Sequence, residues 1–327
     1  MKRIQNIKIA NVLLQSGEVC KINLSFQTFG LPIGMAPIVL VNHALTGNSN
    51  VAGVNGWWKD VVGENKVIDT KKYTVIAFNI PGNGYDNEAE NLIENYKSFT
   101  TKDIASLFWK GLEYLKVNQL FAVIGGSLGG AIAWEMAFIK PNAIQNLVPI
   151  ATNWKANDWL IGNVLVQDAI LNNSKNPIHD ARLHAMLLYR TPQSLTAKFN
   201  SERNDNQNSY KVESWLLHHG EKLTSRFELS AYKLMNHLLK TIGETTTEKD
   251  LQDFAKNSPT KIHQIAINSD YFFAPNENIK THNLLSNISK NLTYHEINSI
   301  HGHDAFLIEY ESLNNILKTI FNSKHTI

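Results

Sequence analysis

The sequence holds a single cysteine, Cys20, in 327 residues, which excludes an internal disulfide and leaves no cysteine-based zinc site. Its twelve histidines are scattered without ligand spacing, and the adjacent pair His218 and His219 is read as pointing apart on a helix, so no metal is expected. Long runs of one charge are also missing. The 31 basic and 29 acidic residues leave a formal net charge of +2, which supplies no phosphate-tracking stripe and argues against nucleic acid as a partner. No apolar stretch approaches the ~20 residues of a membrane span. The opening "MKRIQNIKIANVLLQSGEVC" interrupts its apolar residues with Asn, Gln and Lys and so fails as a signal peptide. These absences give the expectation of a cytoplasmic protein with no membrane partner, in which Cys20 is a small buried residue on an early strand.

What the chain does have is a succession of short apolar runs: "PIVLVN" (37–42), "YTVIAFN" (73–79), "LFAVI" (120–124), "IQNLVPI" (144–150), "IHQIAIN" (262–268) and "LTYHEI" (292–297). Each reads as a strand of a parallel sheet. Between the third-last and second-last of these runs the character changes. Residues 153–248 are rich in Leu, His, Trp, Asn and Lys, with helical periodicity and few β-branched runs. Earlier, residues 101–117 carry a helical stripe of Ile104, Leu107, Phe108, Leu112 and Leu115. "EVCKINLSFQTFG" alternates as an antiparallel edge hairpin would, and "NSERNDNQNSY" (200–210) reads as a solvated loop. The expected architecture is α/β: a mostly parallel, doubly wound sheet formed by residues 1–152 and 249–327, with an inserted helical lid at 153–248.

"AVIGGSLGGAIAWEMA" (122–137) runs from a β-branched stretch straight into a helix former, with Ser127 between paired glycines. A strand that turns at once into a helix compresses its backbone at the joint, and Gly125 and Gly129 remove the side chains that would collide there. This matches the nucleophile elbow G-x-S-x-G. A serine hydroxyl needs a base, and the base needs a group to orient it. In the chain order this elbow requires, Asp270 follows the run 262–268, and His301 and His303 follow 292–297; His303 is the choice of base. A developing oxyanion would be met by the backbone N–H of Leu128, directly after the serine, and of Leu45 in "HALTGN".

With these pieces placed, the chain resembles the homoserine O-acyltransferase family of α/β-hydrolase-fold enzymes. The likeness is carried by "HALTG" (43–47), "GWW" (56–58), "GGSLGGAIAWEMA" (125–137), "YRT" (189–191), "VESWLLHHGEKLTSRFELSAY" (212–232), "SDYFFAP" (269–275) and "GHDAF" (302–306). It implies an enzyme of methionine and sulfur amino-acid biosynthesis with no bound cofactor. An acyl-coenzyme A, such as acetyl-coenzyme A, would load Ser127 in a ping-pong cycle and L-homoserine or a related hydroxy amino acid would unload it. Asp304 would hold the substrate ammonium, or alternatively cap a helix starting at Ala305. The family's carboxylate-binding lid arginine is expected where "SLTAKFN" supplies Lys198, which leaves Arg190 or Lys198 for that task. The entrance wall near residues 83–95 should differ from the family's, and two copies are expected to pair through the lid. A serine esterase or thioesterase would use the same machinery, and an idle binding protein would not keep all three of Ser127, Asp270 and His303.

Overall fold

Runs of five to seven β-branched and apolar residues, closed by turn formers, are too short for stable helices and become strands, all but the edge strand at 292–297 covered on both faces. The computed structural model describes residues 3–204 and 208–322. Its main sheet has eight strands: β1 (Gln5–Leu13), β2 (Val19–Gly30), β3 (Ile38–Asn42), β4 (Thr74–Phe78), β5 (Leu120–Gly126), β6 (Ile144–Ile150), β7 (Lys261–Ile267) and β8 (Leu292–Ile297). Across the sheet they lie in the order β1-β2-β4-β3-β5-β6-β7-β8. β1 pairs antiparallel with β2 as the expected hairpin, and β2 antiparallel with β4. From β4 onward every neighbouring pair is parallel, so the carboxyl ends of β3, β5, β6, β7 and β8 share one edge.

The strand period of two sorts side chains onto opposite faces. Leu40, Ile76, Val123 and Leu147 face a core completed by helices α1 (Thr101–Tyr114) and α2 (Leu128–Ile139). Their neighbours Val39, Val75, Ile124 and Val148 face a second core that contains Trp58. After β6 come α3 (Asp158–Asn173), α4 (Pro177–Tyr189), α5 (Pro192–Phe199), α6 (Lys211–Thr224), α7 (Leu229–Lys240) and α8 (Glu248–Asn257). α9 (Pro275–Ser286) separates β7 from β8, and α10 (Tyr310–Phe321) closes the second core with Leu313, Leu317 and Phe321.

Several local expectations shift. The helix expected over 101–117 starts where a reciprocal Thr100–Asp103 capping box satisfies its first donors, but it ends at Tyr114 because Lys116 turns left-handed, φ 59°. Cys20 lies on β2 but is only half-buried, near the strand's outer end. Part of the stretch read as a solvated loop pairs antiparallel, Asn204 with Ser209 and Arg203 with Tyr210, while residues 205–207 lie outside the described residues. His218 and His219 do not point apart; their rings meet edge-on with centroids 5.9 Å apart. Among the described residues no helix is long and apolar enough to cross a membrane.

The elbow glycines have a specific neighbour. A Cβ on Gly129 would collide with the backbone oxygens of Asn42 and His43, and one on Gly125 would meet the Gly129 backbone and, at 2.9 Å, the Asn42 oxygen. These backbone atoms cannot swing aside as a side-chain tip could. Gly129→Ala is therefore expected to destabilise the fold by about 3 kcal/mol or more, as overpacking against fixed atoms does. A urea midpoint equal to wild type would remove this account of the glycine.

Candidate active site

Ser127 stands between β5 and α2 with φ 56° and ψ −127°, a conformation that costs a non-glycine residue about 1–3 kcal/mol. Its own backbone holds it there. The Ser127 N–H donates to Ile150 O at 2.9 Å, and Ser127 O accepts from the N–H groups of Gly130 (2.9 Å) and Ala131 (3.1 Å). The side chain is buried and directed at the edge where the parallel strands end.

The structure brings Ser127, His303 and Asp270 together. His303 Nδ1 lies 2.7 Å from Asp270 Oδ2, and His303 Nε2 lies 2.9 Å from Ser127 Oγ. An ionised carboxylate can only accept, so Nδ1 carries the proton and Nε2 is left to accept from the serine hydroxyl. The other Asp270 oxygen accepts the N–H groups of Phe272 (2.7 Å) and Phe273 (2.9 Å), which fixes the carboxylate plane. Rings of Tyr189, Phe272, Phe273 and Phe306 surround the imidazole at 5.2–5.8 Å between centroids and keep it 3% exposed. Chemically, this arrangement can draw a proton off the serine and return it to a leaving group on the same face.

The two candidate oxyanion donors lie on the helix after the elbow and on the loop packed against it. Leu128 is the first residue of α2, where an N–H has no intrahelical partner. Leu45 sits at the second position of the turn closed by the Gly47 N–H on Ala44 O at 2.9 Å, next to the backbone that packs on Gly129.

The residues expected to hold substrate charges are placed unequally. Asp304 lies inside a short 3-10 turn, Gly302–Leu307, and caps no helix; the cap position belongs to His301. Burial pushes its carboxyl up, opposed by the charges of His303, Arg182 and Arg190. Arg190 is buried and donates to Ser194 Oγ and, at 3.0 Å, to His301 Nδ1. That bond occupies the nitrogen His301 would need as a base. Lys198 is exposed, with its ammonium 5.0 Å from the Trp215 ring centre. Around Arg190 the end of α4 and the turn after it are fastened to the loop that carries His303: Thr191 Oγ1 donates to Ile300 O, and Gly302, at φ 68°, is so close to Tyr189 O that a Cβ would sit 2.9 Å from it.

One residue that sequence reasoning missed, Arg182, lies at this junction beside Tyr189 of the "YRT" segment. Arg182 on α4 places its guanidinium 5.7 Å from the Tyr189 ring centre, and Tyr189 stands beside His303. Arg182 makes no ion pair with any carboxylate among the described residues. Seven residues apart on one helix, the two share a face, and that spacing was the available signal.

A family model described as alpha/beta hydrolase fold matches residues 37–307. A homoserine O-acetyltransferase of Cyclobacterium marinum is 32% identical over 94% of this chain and 92% of its own. Among solved structures, esterase E22 superposes with a TM-score of 0.86 at 16% identity, covering 98% of this chain and all of its own (100%). A homoserine O-acetyltransferase from Bacillus anthracis superposes with a TM-score of 0.85 at 18% identity over 98% of both chains. The fold alone therefore does not separate transfer from hydrolysis.

Because the serine's backbone is strained, Ser127→Gly is expected to be about 1 kcal/mol more stable than Ser127→Ala, seen as a higher melting temperature, since glycine occupies positive φ without penalty. Equal melting of the two inactive variants would show that the elbow stores no strain.

Proposed function

This chain belongs to the homoserine O-acetyltransferase family of the alpha/beta hydrolase fold, and from that premise we propose that it transfers a short acyl group, acetyl above all, from an acyl-coenzyme A to the hydroxyl of L-homoserine or a related hydroxy amino acid. In this reading Ser127 Oγ attacks the thioester carbonyl while His303 Nε2 takes its proton. The Leu45 and Leu128 N–H groups meet the oxyanion, and the thiol leaves with the proton from His303. The amino-acid hydroxyl then gives its proton to His303, attacks the acyl-serine and regenerates Ser127. Asp270 keeps the imidazole in the required tautomer and stabilises its charged form. The observation that carries the reading is the buried relay from Asp270 through His303 to Ser127, with distances of 2.7 and 2.9 Å, in a chain 32% identical to a homoserine O-acetyltransferase.

The acceptor is a zwitterion with a carboxylate and an ammonium, and the junction around His303 offers one carboxylate, Asp304, and two guanidiniums, Arg182 and Arg190. We assign the ammonium to Asp304 and the carboxylate to Arg182. Arg182 is preferred to Arg190, whose guanidinium faces Ser194 and His301, and to Lys198, which cannot offer a two-pronged contact. Transfer prevails over hydrolysis where the acceptor is fixed beside the acyl carbon, since oriented groups reach effective concentrations of ~10⁵ M against ~55 M for water. Pairing of two copies is assigned to the outer face of α3, where Trp159, Ile161, Leu165 and Val166 are exposed.

Incubated with acetyl-coenzyme A, the protein is expected to release free thiol rapidly only when L-homoserine is present. Thiol release at the same rate without an acceptor would make it a hydrolase. Arg182→Ala is expected to raise KM for the amino acid about 10- to 100-fold, the range of one charged hydrogen bond, while Ser127 still takes up acetyl. An unchanged KM would return the carboxylate to Arg190 or Lys198.

A further inference from the structure

The turn that presents Leu45 is held by a side chain outside the relay. His43 is 1% exposed and uses both ring nitrogens. Its Nε2 accepts the Ile80 N–H at 2.9 Å, with Asn83 Nδ2 at 3.3 Å. The ring proton therefore resides on Nδ1, which donates to the carbonyl of Ala44 at 2.7 Å. The same carbonyl accepts the Gly47 N–H at 2.9 Å. Burial pushes the imidazole down to about 4, so the ring stays neutral, with the same tautomer, through the neutral pH range.

A peptide unit is planar and trans, so the Ala44 carbonyl and the Leu45 N–H point in opposite directions. Two donors on the Ala44 oxygen thus fix where the Leu45 N–H is aimed. The loop cannot back away, because its Asn42 and His43 oxygens rest on Gly129 at the start of α2, the helix whose first residue supplies the other N–H. We propose that His43 is a positioning residue that aims the Leu45 N–H at the oxyanion by clamping the Ala44 peptide. The inference rests on the oxyanion assignment made under Proposed function.

Two substitutions divide the histidine's bonds between them. In His43→Asn the amide nitrogen occupies the place of Nδ1, so the donor to Ala44 survives and the acceptor for Ile80 is lost. In His43→Gln the amide oxygen reaches the place of Nε2, so Ile80 keeps its acceptor and Ala44 loses its donor. Each removes one buried hydrogen bond, and both are expected to melt below wild type by similar amounts. Only His43→Gln is expected to slow acetylation of Ser127, followed as acetyl mass on the full chain with p-nitrophenyl acetate. The loss should be about 10- to 100-fold in rate with half-saturation unchanged, short of the ~10²–10³-fold cost of deleting an oxyanion donor outright. His43→Asn should recover most of the rate. Equal slowing of the two variants, or a wild-type rate in His43→Gln, would overturn the clamp and leave the acyl-enzyme standing. Absence of any acetyl adduct on Ser127 in wild type would overturn both.

Discussion

Backbone-to-backbone contact between the loop after β3 and the first turn of α2 is the constraint on which the site depends. It exists because Gly125 and Gly129 carry no Cβ, and it sets the Asn42–His43 peptide against the elbow. That contact seats the loop carrying Leu45 against the helix that begins directly after Ser127. A larger residue at either glycine would push the loop after β3 off the first turn of α2 rather than merely crowd a core.

Much of this was readable in the residues. The strand at 144–150 appears where its bounds were marked because a parallel strand covered on both faces announces itself as a mostly apolar run, and 292–297 appears as marked although it is the sheet's half-exposed edge strand. The elbow was legible because steric exclusion at a strand-to-helix joint leaves glycine as its signature. The aspartate and histidine followed from chain order and from the rule that ligands meet α/β sheets beyond the strands' carboxyl ends.

Other features were not legible, for physical reasons. The helix at 101–117 lost its last turn to a left-handed Lys116, a backbone choice that lysine does not advertise. The orientations of Arg190, Lys198 and Arg182 were also hidden, because sequence position alone does not show which face of α4 and the turn after it meets the sheet. Once α4 is docked, Arg190, one residue past the helix end, turns toward His301, while Arg182 and Tyr189 lie together near His303. Cys20 sits farther out than its strand assignment suggested, since β2 projects beyond the core near its start.

The fastening of Tyr189–Thr191 to Ile300–Gly302 joins a cover to a working part. Any excursion of that stretch of α4 and its following turn would drag the imidazole's loop along and pull Nε2 away from the serine oxygen. Admission of a molecule by that route and readiness to react would then be alternating conditions of a single mechanical unit, much as a door whose hinge also carries the electrical contact.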